Sequence, residues 1–89
     1  MKAVITVTGK DTVGIIAKVS AVCAEANANI LEITQSVLSE YFAMIMLADI
    51  DGLKPAFRDF ADSLAELGRE HNLDIRAVHE EIFDAMHRI

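Results

Sequence analysis

Two hydrophobic periods alternate along the chain, one of two residues and one of about three and a half. Lys2-Ala3-Val4-Ile5-Thr6-Val7-Thr8 is rich in β-branched residues. It predicts a strand over 2–8, with Ala3, Ile5 and Val7 on one face and Lys2, Val4, Thr6 and Thr8 on the other. Ile15, Ile16, Val19, Val22, Cys23 and Ala26 then recur at helical spacing. The helix should run to about Ala26, where Asn27-Ala28-Asn29 ends it, because Asn tolerates the left-handed conformation that closes a helix. Ile30 to Leu38 reads as a second strand, in which Leu31, Ile33 and Val37 alternate against Glu32, Thr34 and Ser36. Ser39-Glu40 is a polar break that fits a tight hairpin. Tyr41 to Ile50, the third strand, differs from the others: Phe42, Met44, Met46 and Ala48 fill one face, and Ala43, Ile45 and Leu47 fill the other. Both of its faces favour burial.

Asp49-Ile50-Asp51-Gly52 predicts a turn, with Pro55 in the first turn of the next helix. Leu53, Phe57, Phe60, Ala61, Leu64 and Leu67 form an apolar stripe, and Arg58, Asp59, Asp62, Glu66 and Arg69 form the solvated side. Gly68 should weaken the last turns, and His71-Asn72 closes them. Leu73 to His79 is the fourth strand, with Leu73, Ile75 and Ala77 opposite Asp74 and Arg76. The tail from Glu80 to Ile89 carries Ile82, Phe83, Met86 and Ile89 at helical spacing, a short amphipathic helix.

The order is therefore β-α-β-β-α-β followed by a helix. Two right-handed βαβ crossovers joined by a hairpin give an α+β, ferredoxin-like sandwich: a four-stranded antiparallel sheet with two helices on one face. Three strands present polar residues to the uncovered face, but the third presents an apolar row. Either the terminal helix or another subunit must cover that row. A ten-residue helix is too short to persist free in solution, so it is expected to dock, with a dimer interface nearby. The interface residues are then Tyr41, Ala43, Ile45, Leu47, Ile82, Phe83 and Met86.

The candidate chemistry lies where the first strand hands over to the first helix, at Gly9-Lys10-Asp11-Thr12-Val13-Gly14-Ile15. Two glycines and an aspartate there make a backbone-lined corner, faced by the helix's unpaired N–H groups and positive dipole end. Such a corner attracts a small anion, or serves only as a capped turn in which Asp11 or Thr12 accepts a first-turn N–H.

Composition narrows the rest. Eighty-nine residues with 53% apolar content fit one globular domain over 1–89, with its core in 2–80 and a C-terminal helix over 81–89. At this size the buried fraction of the chain is modest, so a partner adds stability. A net charge of −6 and a pI near 4.8, without a basic run, argue against nucleic-acid and anionic-membrane surfaces. No signal peptide or membrane-length apolar run is visible, and a single cysteine excludes an internal disulfide, which together point to the cytoplasm. Cys23 falls on the first helix's apolar stripe as a core residue. His71, His79 and His87 recur every eight residues but fall on three different elements, so no metal site is expected. No cofactor is expected either.

With the loop and the element order in place, the chain resembles the ACT domain family. It is most similar to the small stand-alone ACT proteins related to the glycine-cleavage-system repressor. The likeness is carried by Gly9-Lys10-Asp11-Thr12-Val13-Gly14-Ile15, by Asn27-Ala28-Asn29-Ile30, by Gln35, and by Phe42-Ala43-Met44-Ile45-Met46-Leu47. The resemblance implies a regulatory, non-catalytic module that senses a small molecule, commonly an amino acid. It further implies that such modules pair side by side, with ligand between the loop of one subunit and the second strand of its neighbour. Carried over to this chain, the ligand-binding residues are Gly9, Lys10, Asp11, Gly14 and Asn29. The partners it implies are a small-molecule ligand, a second copy of the chain and a downstream protein that receives the signal.

Two other readings are kept beside this one. The dry third strand and the tail fit a ligand-free assembly domain. An acylphosphatase-like hydrolase of the same fold would need an arginine at the loop, and Arg58, Arg69, Arg76 and Arg88 all lie far along the chain from it.

Overall fold

A computed structural model describes residues 1–10 and 13–86. The elements are β1 (Lys2–Gly9), α1 (Ile15–Ala26), β2 (Asn29–Leu38), β3 (Tyr41–Asp49), α2 (Phe57–Glu70), β4 (Asp74–His79) and α3 (Glu80–Met86). The four strands form one antiparallel sheet in the order β2-β3-β1-β4, the ferredoxin-like arrangement expected from the element order.

The core fills the space between one sheet face and α1 and α2. Ala3, Ile5 and Val7 of β1 and Phe42, Met44, Met46 and Ala48 of β3 meet Ile15, Val19 and Cys23 of α1 and Phe60 and Leu64 of α2. Burying side chains of this size contributes about 1.5–3 kcal/mol each, which is why both central strands keep their inward rows wholly apolar. Ile75 and Leu73 close the β4 side.

Helix ends follow local chemistry, with two departures from the pattern-based reading. Asn27 closes α1 in the left-handed conformation at φ 64°, and its side-chain Nδ2 donates to the Gly52 carbonyl at 2.8 Å. The N-cap of α1 is Gly14 rather than Asp11 or Thr12, because at φ 74° this position favours a residue without Cβ. Asp11 and Thr12 themselves lie outside the described residues. α2 begins at Phe57 with Ala56 as its cap, so Pro55 precedes the helix instead of opening it. His71 caps the other end, and Asn72 turns the chain at φ 56°. β4 starts one residue after Leu73.

Gly68 does more than weaken α2. A Cβ there would stand 2.6 Å from the Leu73 carbonyl oxygen and 3.1 Å from Ile75 Cγ1. The glycine lets α2 press against β4, while its own carbonyl accepts the Leu73 N–H at 2.8 Å.

The edge strand β2 departs most from expectation. A bulge between Ile30 and Glu32 takes Leu31 out of the alternating row. Register then places Ile33, Gln35 and Val37 on the helix side of the sheet, opposite Met46, Met44 and Phe42. The helices do not reach that far: Leu31 and Ile33 are about two-fifths exposed, and Val37 is 71% exposed. Sequence alternation anticipated that Ile33 and Val37 share a face, but neither the loss of Leu31 from their row nor the overhang of the edge beyond the helix layer.

The opposite sheet face is covered over part of one half. α3 packs against β1 and β4, and Val4 on that face is only 4% exposed. α3 is thus the cover for the Val4 end of the β1/β4 half, and Thr8 and Arg76 farther along it stay exposed. No residue of α3 is itself buried, contrary to the expected buried stripe; Ile89, the last member of that stripe, lies outside the described residues.

Candidate functional site

The loop is built by two glycines with different tasks. Gly9 ends β1 opposite Phe42, and a Cβ on it would overlap the Leu73 side chain, so the glycine admits close packing. Gly14 has open space around its Cα and is required by its left-handed backbone. Its carbonyl accepts the Lys18 N–H at 3.2 Å, opening the helix.

Lys10 reaches sideways from this loop to the β2–β3 hairpin. Its Nζ lies 3.4 Å from Glu40 Oε1 and 5.3 Å from the centre of the Tyr41 ring. The contact is exposed, so it contributes little to stability, but it aims a cation across the top of the sheet toward the β2 edge. Sequence reading selected Lys10 and missed Glu40 and Tyr41 as its holders. The only signal for them was the strand register, which sets Gly9 beside Phe42 although the two lie far apart in sequence.

Asn29 is elsewhere. It opens β2 opposite Asp49, which in turn lies opposite Lys2, at the other end of the sheet from Gly9. Lys2 and Gly9 are seven residue steps apart along the strand, a span of roughly 23 Å at the usual rise per residue. One protomer therefore brings Gly9, Lys10 and Gly14 together but does not bring Asn29 to them. Asp11, the remaining ligand-binding candidate, lies outside the described residues.

Two clefts lie away from this loop. One of about 590 Å³ is lined by Met1, Lys2, His79, Glu80, Glu81 and Ile82. Another lies between α1, α2 and the turn before α2, lined by Val22, Glu25, Lys54, Pro55, Phe60 and Ser63. The His79 ring stacks on Phe57 with centroids 4.0 Å apart, and its Nδ1 is buried without a hydrogen-bond partner. Cys23 is fully enclosed, and burial pushes its thiol pKa up to about 11, which keeps it protonated and unreactive. His71, His79 and the acidic residues form no group suited to hold a metal ion among the described residues, and His87 lies outside them. No described helix is long and apolar enough to cross a membrane.

The β3 residues expected at an interface share one face of the sheet. Register puts Tyr41, Ala43, Ile45 and Leu47 on the face away from α1 and α2. Tyr41 is about half exposed and Ile45 is 45% exposed. On α3, Phe83 is partly buried, whereas Ile82 and Met86 are 51% and 68% exposed.

The ACT domain family profile matches residues 2–78. This chain belongs to the ACT domain family. A relative in Clostridium perfringens, a UPF0237 protein, is 47% identical over 89 residues, which is the whole of both chains. Among solved structures, an ACT domain protein from Streptococcus pneumoniae is 40% identical, superposes with a TM-score of 0.80, and is matched over 94% of each chain. A putative glycine cleavage system transcriptional repressor is 26% identical with a TM-score of 0.70, over 86% of this chain and 44% of that one. ACT domains are regulatory modules that bind small ligands, and this ACT chain carries the fold's strand order and its glycine-bounded loop.

Proposed function

We propose that residues 1–89 form one ACT unit that acts as a non-catalytic, homodimeric sensor of an amino acid in the cytoplasm and hands its signal to another protein. The observation that carries this reading is the separation of Asn29 from the Gly9–Gly14 loop along the sheet. A second copy pairing antiparallel along the exposed β2 edge reverses the strand direction. It thereby brings its Asn29 to the hairpin end, where Lys10 leans across Glu40 and Tyr41.

The chemistry suits a zwitterion. Lys10 and the first free N–H groups of α1 offer positive charge to a carboxylate, and Asp11 offers negative charge to an ammonium. The Asn29 amide donates and accepts at once, so it serves either group. The bare row of β2, with Ile33 and Val37 exposed, supplies an edge ready for strand pairing. The enclosed lone cysteine fits a reducing compartment.

Thermal shifts against the twenty amino acids test this. One ligand should raise the melting temperature by at least about 3 °C, and Lys10→Ala, Asp11→Ala and Asn29→Ala should each abolish the rise. Mixing the Lys10→Ala and Asn29→Ala proteins should restore part of the response, because a mixed dimer rebuilds one intact site from two damaged chains. A flat response across the panel would favour the ligand-free assembly domain, which the existing engagement of Lys10 by Glu40 and Tyr41 also suits. Response without restoration on mixing would place the site within one chain and overturn the shared arrangement.

A further inference from the structure

The helix layer carries a groove on its outer side that the loop does not use. A cleft of about 800 Å³ lies between Val22 of α1 and the outer side of α2 from residue 62 to residue 70. The cleft between α1, α2 and the turn before α2, of about 410 Å³, adjoins it. Val22 and Ser63 line both, so the two form one continuous groove. It follows the whole of α2, whose fourteen residues span about 21 Å.

The floor is apolar and the walls are acidic. Val22 and Leu67 pack partly against the core and present their remaining surface to the groove. Glu25, Asp62, Glu66 and Glu70 stand along it, against Lys54 and Arg69. Arg69 is held in an ion pair by Glu66 of its own helix, while Glu25, Asp62 and Glu70 have no ion-pair partner among the described residues. The turn end is fixed in advance: the Lys54 N–H donates to the Ala26 carbonyl at 2.9 Å, and Asn27 Nδ2 donates to the Gly52 carbonyl at 2.8 Å. A groove already set in shape loses little freedom on binding.

We propose that this groove docks one basic amphipathic helix of another protein. A helix satisfies its own backbone N–H and C=O groups, whereas an extended segment lying here meets no strand edge and leaves them unpaired. Apolar residues on one stripe of that helix fit over Val22 and Leu67, and lysines or arginines beside the stripe meet Glu25, Asp62 and Glu70. A second copy of this chain is a poor occupant. It offers either the same acidic groove or α3, which carries Glu80, Glu81 and Asp84, and both repel. A single helix buries less than a standard interface, so the contact is weak and readily reversed. Docking needs nothing bound at the loop. It names the surface through which the chain reaches its downstream protein, and for that role alone it rests on the sensing reading.

The probe is a synthetic peptide of about fourteen residues, with leucines at helical spacing flanked by lysines, titrated into the isotope-labelled full chain. Amide shifts in two-dimensional NMR should concentrate on Val22, Glu25, Ser63 and Leu67, and the peptide should gain helix by circular dichroism. A peptide with glutamates for the lysines, and one with its leucines scattered off the stripe, should each bind at least about tenfold more weakly. Asp62→Lys combined with Glu70→Lys should cost the basic peptide a similar factor. Glu32→Lys combined with Asp84→Lys makes the same change in net charge away from the groove and should cost less than about twofold. All four positions are exposed, so both double variants keep the fold. Shifts centred on β2 or on the sheet face would overturn the proposal. So would equal weakening by the two double variants, or no binding at about 1 mM peptide. Intact peptide binding beside a flat amino-acid panel would remove the sensor and leave the groove standing.

Discussion

β3 holds two apolar rows in two different environments. Phe42, Met44, Met46 and Ala48 point into the helices and are shielded from water, while Ala43, Ile45 and Leu47 point away and are left half open. The rows belong to the same nine-residue strand and have similar hydrophobicity, so composition does not separate them. What separates them is what lies opposite. α1 and α2 form a complete layer over the first row, and α3 reaches only β1 and β4 over the second. Hydrophobicity in the sequence states what gains by leaving water; topology decides how much of it leaves within one chain.

The comparison is sharpest at its enclosed side. Met46→Ala should cost about 2–5 kcal/mol in urea unfolding, because Met46 is completely buried and its neighbours can collapse only in part. If that cost matched the cost of Ile45→Ala, the distinction between the rows would be wrong.

Cys23 probes the helix layer over the same core. Its folded pKa, about 11, lies above the unfolded value near 9 because burial disfavours the thiolate. The unfolded chain therefore loses its proton first as pH rises. The stability contribution is complete below pH 9, falls between pH 9 and pH 11, and amounts to about 2–3 kcal/mol. Cys23→Ala should flatten that part of the stability profile, and an equally steep fall in the variant would show that other groups cause it.

Gly68→Ala should destabilise by about 1–3 kcal/mol, since a new methyl meets the Leu73 backbone oxygen. Ordinary helix propensity predicts the opposite sign, a gain near 1 kcal/mol, so a stabilised variant would remove the packing role assigned to this glycine.

The smallest effect belongs to the open row. At dilutions where the chain is monomeric, Ile45→Ala should change stability by less than about 1 kcal/mol. A rise in that cost with protein concentration would tie the row to association.

The ligand-binding candidates were legible to different degrees. Gly9 and Gly14 stand out as punctuation between a strand and a helix, and the structure gives each its own reason. Lys10 stood out only as a member of the loop; its aim toward Glu40 and Tyr41 depends on β1 lying beside β3. Asn29 was expected at a neighbour's loop; strand register places it at the opposite end of the sheet from its own.

By itself the sequence determined the element order, the inward rows of β1, β3 and β4, the left-handed close at Asn27 and the family's loop. Each of these depends on residues within a few positions of one another, where backbone preference and side-chain period act directly. Tertiary structure decided the bulge at Leu31, the overhang of β2, the tight approach at Gly68 and the partial cover provided by α3. Those depend on which strands become neighbours and on how wide a sheet two helices can shield. Local periodicity carries no record of either, because a pattern of apolar positions marks a face for burial without naming its partner.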